Sequence, residues 1–171
     1  MNRAFNEQTK MLDFSSLISG TRENLSVVFE FEPEREWLGN SPYAFCGVGR
    51  ASLEASLNLG KVRLAGNIVI PMRYCCSRCG VEFSENLFIE VSETLDDAQN
   101  EEYFNCDGNK VDLGVMIRDL IVTHIPSRVL CKPDCLGLCP VCGTNLNGGR
   151  CDCETKLQNE SPFAKLKDKF M

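Results

Sequence analysis

At 171 residues with 43% hydrophobic content, the chain can bury one sizeable core but not two independent ones. Its 24 acidic against 18 basic residues leave a formal charge of −6, which opposes any strong sequence-independent attraction to phosphates and leaves nucleic-acid contact to be local or indirect. The longest apolar stretch, Val62 to Met72, is interrupted by Arg63, Gly66 and Asn67 and is far shorter than the ~20 residues that span a bilayer. Met1 to Phe14 has neither the apolar segment nor the small-residue cleavage site of a signal peptide, so a cytoplasmic location is expected.

In chain order, Leu25, Val27, Phe29 and Phe31 alternate with Ser26, Val28, Glu30 and Glu32, the period of a half-buried strand that Pro33 ends. Ala51, Leu53, Ala55, Leu57 and Leu59 alternate against Arg50, Ser52, Glu54, Ser56 and Asn58. After a break at Gly60-Lys61 come Val62, Leu64, Ile68, Ile70 and Met72, which predicts an antiparallel pair. Beyond a turn at Cys76 to Gly80, the residues Val81, Phe83, Leu87, Ile89 and Val91 resume the pattern. From Ser92 to Asn109 it dissolves into Glu93, Asp96, Asp97, Glu101, Glu102 and Asp107, with no basic residue before Lys110, and reads as a solvated acidic linker. Asp112 is placed to cap a helix with Leu113, Ile117, Leu120, Ile121 and His124 on one face, closed by Pro126. Ser161-Pro162 opens a short terminal amphipathic helix bearing Phe163, Leu166 and Phe170.

These elements predict an α+β fold, a small antiparallel β-sheet packed by a helix, with a zinc-ribbon-like cysteine-rich C-terminal segment. The expected organisation is one domain overall: a mainly β half over 1–91, the acidic linker over 92–110, and a helix plus zinc-binding segment over 111–171 that packs back on the sheet.

Eleven cysteines at short spacings in a cytoplasmic chain point to metal, because reducing compartments rarely keep structural disulfides. Zinc favours four tetrahedral ligands, and a Cys-x-x-Cys turn ending in Gly brings two sulfurs together while the backbone reverses. Cys76 and Cys79 form one such turn, Cys139 and Cys142 a second, and Cys151 and Cys153 follow after Gly148-Gly149. The favoured partition pairs Cys76, Cys79, Cys131 and Cys135 in one site and Cys139, Cys142, Cys151 and Cys153 in another, for two zinc ions with four thiolates each. Cys131, Cys135, Cys139 and Cys142 are also close enough in sequence to form a site of their own, and a single occupied site is a further alternative. Neither ferredoxin-type spacing of cysteines is present. Cys46, Cys75 and Cys106 fit neither site and read as small buried hydrophobes, and His124 as a satisfied, half-buried histidine.

The stretch from Ile125 through Pro126-Ser127-Arg128-Val129-Leu130-Cys131-Lys132-Pro133-Asp134-Cys135-Leu136-Gly137-Leu138-Cys139-Pro140-Val141-Cys142-Gly143 to Asn147 resembles the YceD-type family. That family also places a Cys-x-x-Cys turn after a β-rich half, matched by Cys76 to Cys79, and an acid-led helix before the proline, matched by Asp112 to Ile125. The resemblance implies a bacterial cytoplasmic protein, with plastid relatives, needed for 23S ribosomal RNA to accumulate and often encoded beside a large-subunit ribosomal protein. Val122-Thr123-His124 is less apolar than the family's helix end, and Ser161-Pro162 stands where relatives have Asp-Pro.

The expected function is therefore a non-enzymatic zinc-binding factor in large-subunit biogenesis. Its expected partners are ribosomal RNA precursor and/or a large-subunit ribosomal protein, with no membrane and no small-molecule substrate. Arg73, Arg78, Arg128, Lys132 and Arg150 are candidates for local phosphate contacts, and Glu93 to Asp107 for meeting a basic protein. The competing reading is a Cys-x-x-Cys thiol-disulfide oxidoreductase or a redox or zinc sensor. Redox motifs of that type open a helix after a strand, whereas Cys76 lies in a strand-to-strand turn.

Overall fold

The computed structural model describes residues 5, 6, 8–95 and 106–153. Its strands are β1 (Phe5–Asn6), β2 (Met11–Asp13), β3 (Asn24–Phe31), β4 (Ala44–Phe45), β5 (Gly49–Asn58), β6 (Lys61–Cys75), β7 (Glu82–Leu95), β8 (Cys106–Asp107) and β9 (Lys110–Asp112). Two α-helices, α1 (Ser15–Ile18) and α2 (Leu113–His124), and a 3-10 turn at Arg35–Leu38 complete the described elements.

Alternating burial builds the main sheet. In β3, Leu25, Val27, Phe29 and Phe31 point inward and every intervening residue is exposed. In β6 the even positions Val62, Leu64, Ile68, Ile70, Met72 and Tyr74 are buried. A slip of one residue would expose that whole set, so the register is strongly specified. β6 is the central strand: β5 and then β4 pair along one edge, and β7 pairs along the whole of the other, from Val62↔Leu95 to Cys75↔Glu82. β3 adds to the far side of β5. All these pairs are antiparallel, as expected.

The β5–β6 turn differs by one residue from its expected position. Asn58 pairs with Lys61, leaving Leu59 and Gly60 as a two-residue loop, both at positive φ (50° and 80°). That is the type I′ geometry whose twist matches flanking strands.

A second, smaller sheet has the order β1-β2-β9-β8. It delivers the chain into α2, because Asp112 both ends β9 and caps the helix, its Oδ1 accepting from Gly114 N (2.8 Å) and Val115 N (3.2 Å). The buried stripe of α2 is Leu113, Met116, Ile117, Leu120 and Ile121. These side chains join one hydrophobic cluster with Leu25, Leu64, Ile68, Ile70 and Ile89 of the main sheet. His124 departs from its expected place on that stripe. It is exposed, and its Nδ1 lies 2.8 Å from the Leu120 carbonyl oxygen and 3.2 Å from Thr123 Oγ1.

The span 92–110 is not linker throughout. Ser92–Leu95 continue β7, with Leu95 buried against Val62, and Cys106–Asp107 pair with β9. Acidic composition concealed the strand because Glu93 tolerates a half-buried position once β6 supplies the ladder. The remainder, 96–105, and the helix expected at 161–170 lie outside the described residues.

Candidate metal centre

The β6–β7 hairpin turns through Cys76 to Val81. Cys76 N donates to Val81 O (2.9 Å) and Gly80 N donates back to Cys76 O (2.9 Å). The same reciprocal pattern recurs 63 positions later, with Cys139 N donating to Thr144 O (2.8 Å) and Gly143 N to Cys139 O (2.9 Å). Both closing glycines sit at positive φ, 72° and 74°, which a residue with a Cβ rarely adopts. Each turn therefore presents two sulfurs to the same side with its backbone polar groups already paired.

Further partners come from the chain after α2. Ser77 N donates to Val129 O (2.8 Å), and Val129 N donates to Ser77 Oγ (3.2 Å), which lays the segment after the helix along the first turn. Arg78 Nη1 then donates to Cys135 O (2.9 Å). The result is a group of four thiols, Cys76, Cys79, Cys131 and Cys135, all within 4.8 Å of one another. Cys139, Cys142, Cys151 and Cys153 form a second group under the same limit. All eight expected site residues are thus brought together in the favoured partition, and the grouping of Cys131, Cys135, Cys139 and Cys142 does not occur.

The spacing suits a tetrahedral ion. Zinc–thiolate bonds of about 2.3 Å imply sulfur–sulfur edges of ~3.8 Å. Cys76 Sγ to Cys135 Sγ and Cys79 Sγ to Cys131 Sγ are each 3.7 Å. A disulfide would require about 2.0 Å, and the cysteines in both groups are free. In the first group Cys76, Cys79 and Cys135 are buried; in the second Cys139 is buried, Cys151 and Cys153 are half-buried, and Cys142 is exposed. Four sulfurs, closed around one point, would complete the coordination of a divalent ion without an open position.

Acidity within each group is staggered. Burial opposes ionisation of Cys76, but backbone N–H donors around Cys131, Arg78 and Cys79 outweigh it and bring the thiol down to about 6. Burial, followed by hydrogen bonding to Cys79 and Cys135, pushes Cys131 up to about 12. In the second group Thr144, whose Oγ1 lies 3.1 Å from the sulfur, brings Cys142 down to about 6. Sharing a hydrogen with Cys142, together with burial, raises Cys153 to about 12. Thiolates this close repel one another, and a divalent cation offsets that repulsion.

Phe83 joins the first group to the rest of the fold. It packs against the main core and against the cluster of Cys76, Cys79 and Cys135, and its ring lies tilted beside Tyr74 at a centroid distance of 5.8 Å. Tyr74 in turn meets Tyr43 edge-on (5.0 Å). Sequence marked Phe83 only as an apolar strand position and Arg78 only as a candidate for phosphate contacts, and Thr144 and Asn147 carried no site role. The position directly after the Cys139–Gly143 turn was the available signal for Thr144, whereas nothing local marks Asn147 or the bond from Arg78 to Cys135.

Cys46 and Cys75, outside the groups, depart from the buried reading. Cys46 is exposed and Cys75 half-buried, with its Sγ donating to Gly80 O at 3.4 Å, while the side chain of Cys106 lies outside the described ones. The five basic candidates are all exposed. Besides Arg78, engaged with Cys135, Lys132 stands 3.9 Å from Asp134. No described helix is long and apolar enough to cross a membrane.

A family model described as large ribosomal RNA subunit accumulation protein YceD matches residues 64–168, more than half of the chain. A chloroplastic large ribosomal RNA subunit accumulation protein YCED homolog 1 from Arabidopsis thaliana is 26% identical over 146 residues, covering 64% of this chain and 46% of the relative. The protein of that name from Zea mays is 24% identical over 154 residues, covering 70% and 52%. An uncharacterized protein of Mycobacterium tuberculosis is 29% identical over 93 residues, covering 50% and 45%. The chain thus spans about half the length of the curated relatives it matches. No solved structure matches it.

Proposed function

The chain belongs to the YceD family of large ribosomal RNA subunit accumulation proteins, and on that premise we propose that it is a non-enzymatic, zinc-binding cytoplasmic factor supporting 23S ribosomal RNA accumulation and large-subunit biogenesis. The observation that carries the metal part is the pair of four-thiol groups at tetrahedral spacing. Zinc held by four thiolates has no open position for substrate, so its role is to hold shape. The first centre fastens the loop at Cys131–Cys135 to the tip of the β6–β7 hairpin, and metal affinity there becomes folding energy.

The partner is ribosomal RNA precursor and/or a large-subunit ribosomal protein, and the charge balance favours the protein. Eight thiolates against two divalent ions lower the formal charge from −6 by about four more. A chain this acidic gains association rate from a basic protein and loses it against phosphate.

Two measurements test the reading. Elemental analysis of protein purified under reducing conditions should find about two zinc ions per chain. Depletion in the host should lower 23S relative to 16S ribosomal RNA, with rescue by the wild-type chain and none by Cys79→Ser. An unchanged ratio overturns the ribosomal role. Metal-free protein that turns over disulfides overturns the structural-zinc role and supports the oxidoreductase alternative.

A further inference from the structure

Asn147 lies in the loop between the two cysteine pairs of the second centre, yet its side chain serves the first. Its Oδ1 accepts from Leu136 N (2.9 Å), and its Nδ2 donates to Cys135 Sγ (3.3 Å) and to Asn145 Oδ1 (2.8 Å). The orientation of the amide is determined by chemistry: a backbone N–H can only donate, so the oxygen must face Leu136 and the NH2 must face the sulfur. Around it the chain closes a short hairpin. Leu146 N donates to Gly137 O (2.9 Å), Leu138 bridges Asn145, and Asn147 N donates to Asn145 Oδ1 (3.0 Å). The tip of this hairpin is the Cys139–Gly143 turn of the second centre, and its first strand follows directly from Cys135 of the first.

The two centres also differ in how far apart their ligands lie along the chain. Cys139 to Cys153 is a local stretch. The first centre joins Cys76 to Cys135 across 59 positions and Cys79 to Cys131 across 52. Loop-closure entropy therefore favours filling the local centre first. Metal there clamps the hairpin and aims the Asn147 amide before the distant sulfurs arrive.

We infer that Asn147 couples the two centres, so that metal held by Cys139, Cys142, Cys151 and Cys153 raises the affinity of Cys76, Cys79, Cys131 and Cys135 for theirs. Asn147 is a positioning residue: it ligates nothing, and it orients a ligand of the other centre. Hydrogen bonds of this kind to ligand atoms typically govern about 10- to 100-fold in metal affinity. Binding coupling is reciprocal, so the first centre tightens the second by the same factor. The inference rests on the metal-binding part of the proposed function.

The test uses the full reduced chain titrated with Co2+, whose thiolate charge-transfer absorption reports occupancy, with chelator competition giving affinities. Cys142→Ser/Cys153→Ser disables the local centre and leaves the long-range one alone to be read. Asn147→Asp keeps the shape and the acceptor for Leu136 but replaces the donor facing Cys135 by an acceptor. Asn147→Ala is the second variant, with far-UV circular dichroism reporting that the sheet persists. Disabling the local centre should weaken the other about tenfold or more. Asn147→Asp and Asn147→Ala should each weaken the long-range centre about 10- to 100-fold. Combined with the local-centre variant, either should add little, because the coupling is already lost. Two Co2+ bound independently, or strictly additive effects, would overturn the coupling while leaving the metal reading intact. A wild-type chain that binds no Co2+ would overturn both.

Discussion

Replacing Gly66 by alanine should destabilise the protein severely, and the amount follows from the approach of two strands. Gly66 occupies an inward position of β6, paired with Leu53 on one side and Val91 on the other. A Cβ there would fall 2.1 Å from Ser52 O and 2.9 Å from Leu53 Cα, both backbone atoms of β5, and the glycine holds φ at +150°. Ordinary contact begins near 3.4 Å, so β5 would have to retreat by about 1 Å, enough to break local ladder hydrogen bonds. One or two lost bonds at about 1 kcal/mol each, overpacking of about 1–3 kcal/mol and backbone strain of about 1–3 kcal/mol give roughly 3–8 kcal/mol. That is a large fraction of typical stability and corresponds to a fall in Tm of at least about 6 °C. Thermal and urea unfolding followed by far-UV circular dichroism would measure it. A fall under about 3 °C would refute the close approach of β5 and β6. Because the local thiol group is closed within residues 139–153, Co2+ binding there should survive the substitution even where the sheet is weakened.

Asp112→Ala removes the cap of α2 and leaves Gly114 N and Val115 N without their acceptor, which should cost about 1 kcal/mol and lower Tm by about 2–4 °C. An unchanged Tm would show that the cap contributes nothing. Metal affinity should fall steeply in acid, because protons and metal compete for the same sulfurs. As pH drops through about 6, Cys76 and Cys142 take up protons, and the groups at Cys131 and Cys153, raised to about 12, carry theirs already. Below pH 6 the metal must displace one further proton from each centre, at Cys76 and at Cys142, than it does above it. Chelator competition between pH 5 and 8 should give a slope of log affinity against pH that flattens on rising through 6. Metal release independent of pH would exclude thiolate ligation.

Much of the fold is legible in the residues because the main sheet buries one face. Alternation in β3, β5 and β6 marks that face without knowledge of any partner. Capping by Asp112 and the two Cys-x-x-Cys-Gly turns are equally local, each made by residues within six positions of one another. What escaped is what pairing decides. Ser92–Leu95 lack a strand's usual composition and are strand because β6 extends far enough to pair with them. His124 falls on the helical period of the buried stripe, but the last turn of α2 leaves its ring exposed.

Spacing alone picks out the eight cysteines that gather in the two groups, since paired spacings and a turn-closing glycine are properties of short segments. How they divide depends on long-range packing. Cys135 lies four residues from Cys139 and 59 from Cys76, yet its sulfur meets Cys76 at 3.7 Å. The reason is that α2 docks its apolar stripe on the core and returns the chain to the β6–β7 turn, where Ser77 and Arg78 hold it by hydrogen bonds. The Asn147 amide finds Cys135 the same way, through a hairpin whose closure no local pattern announces.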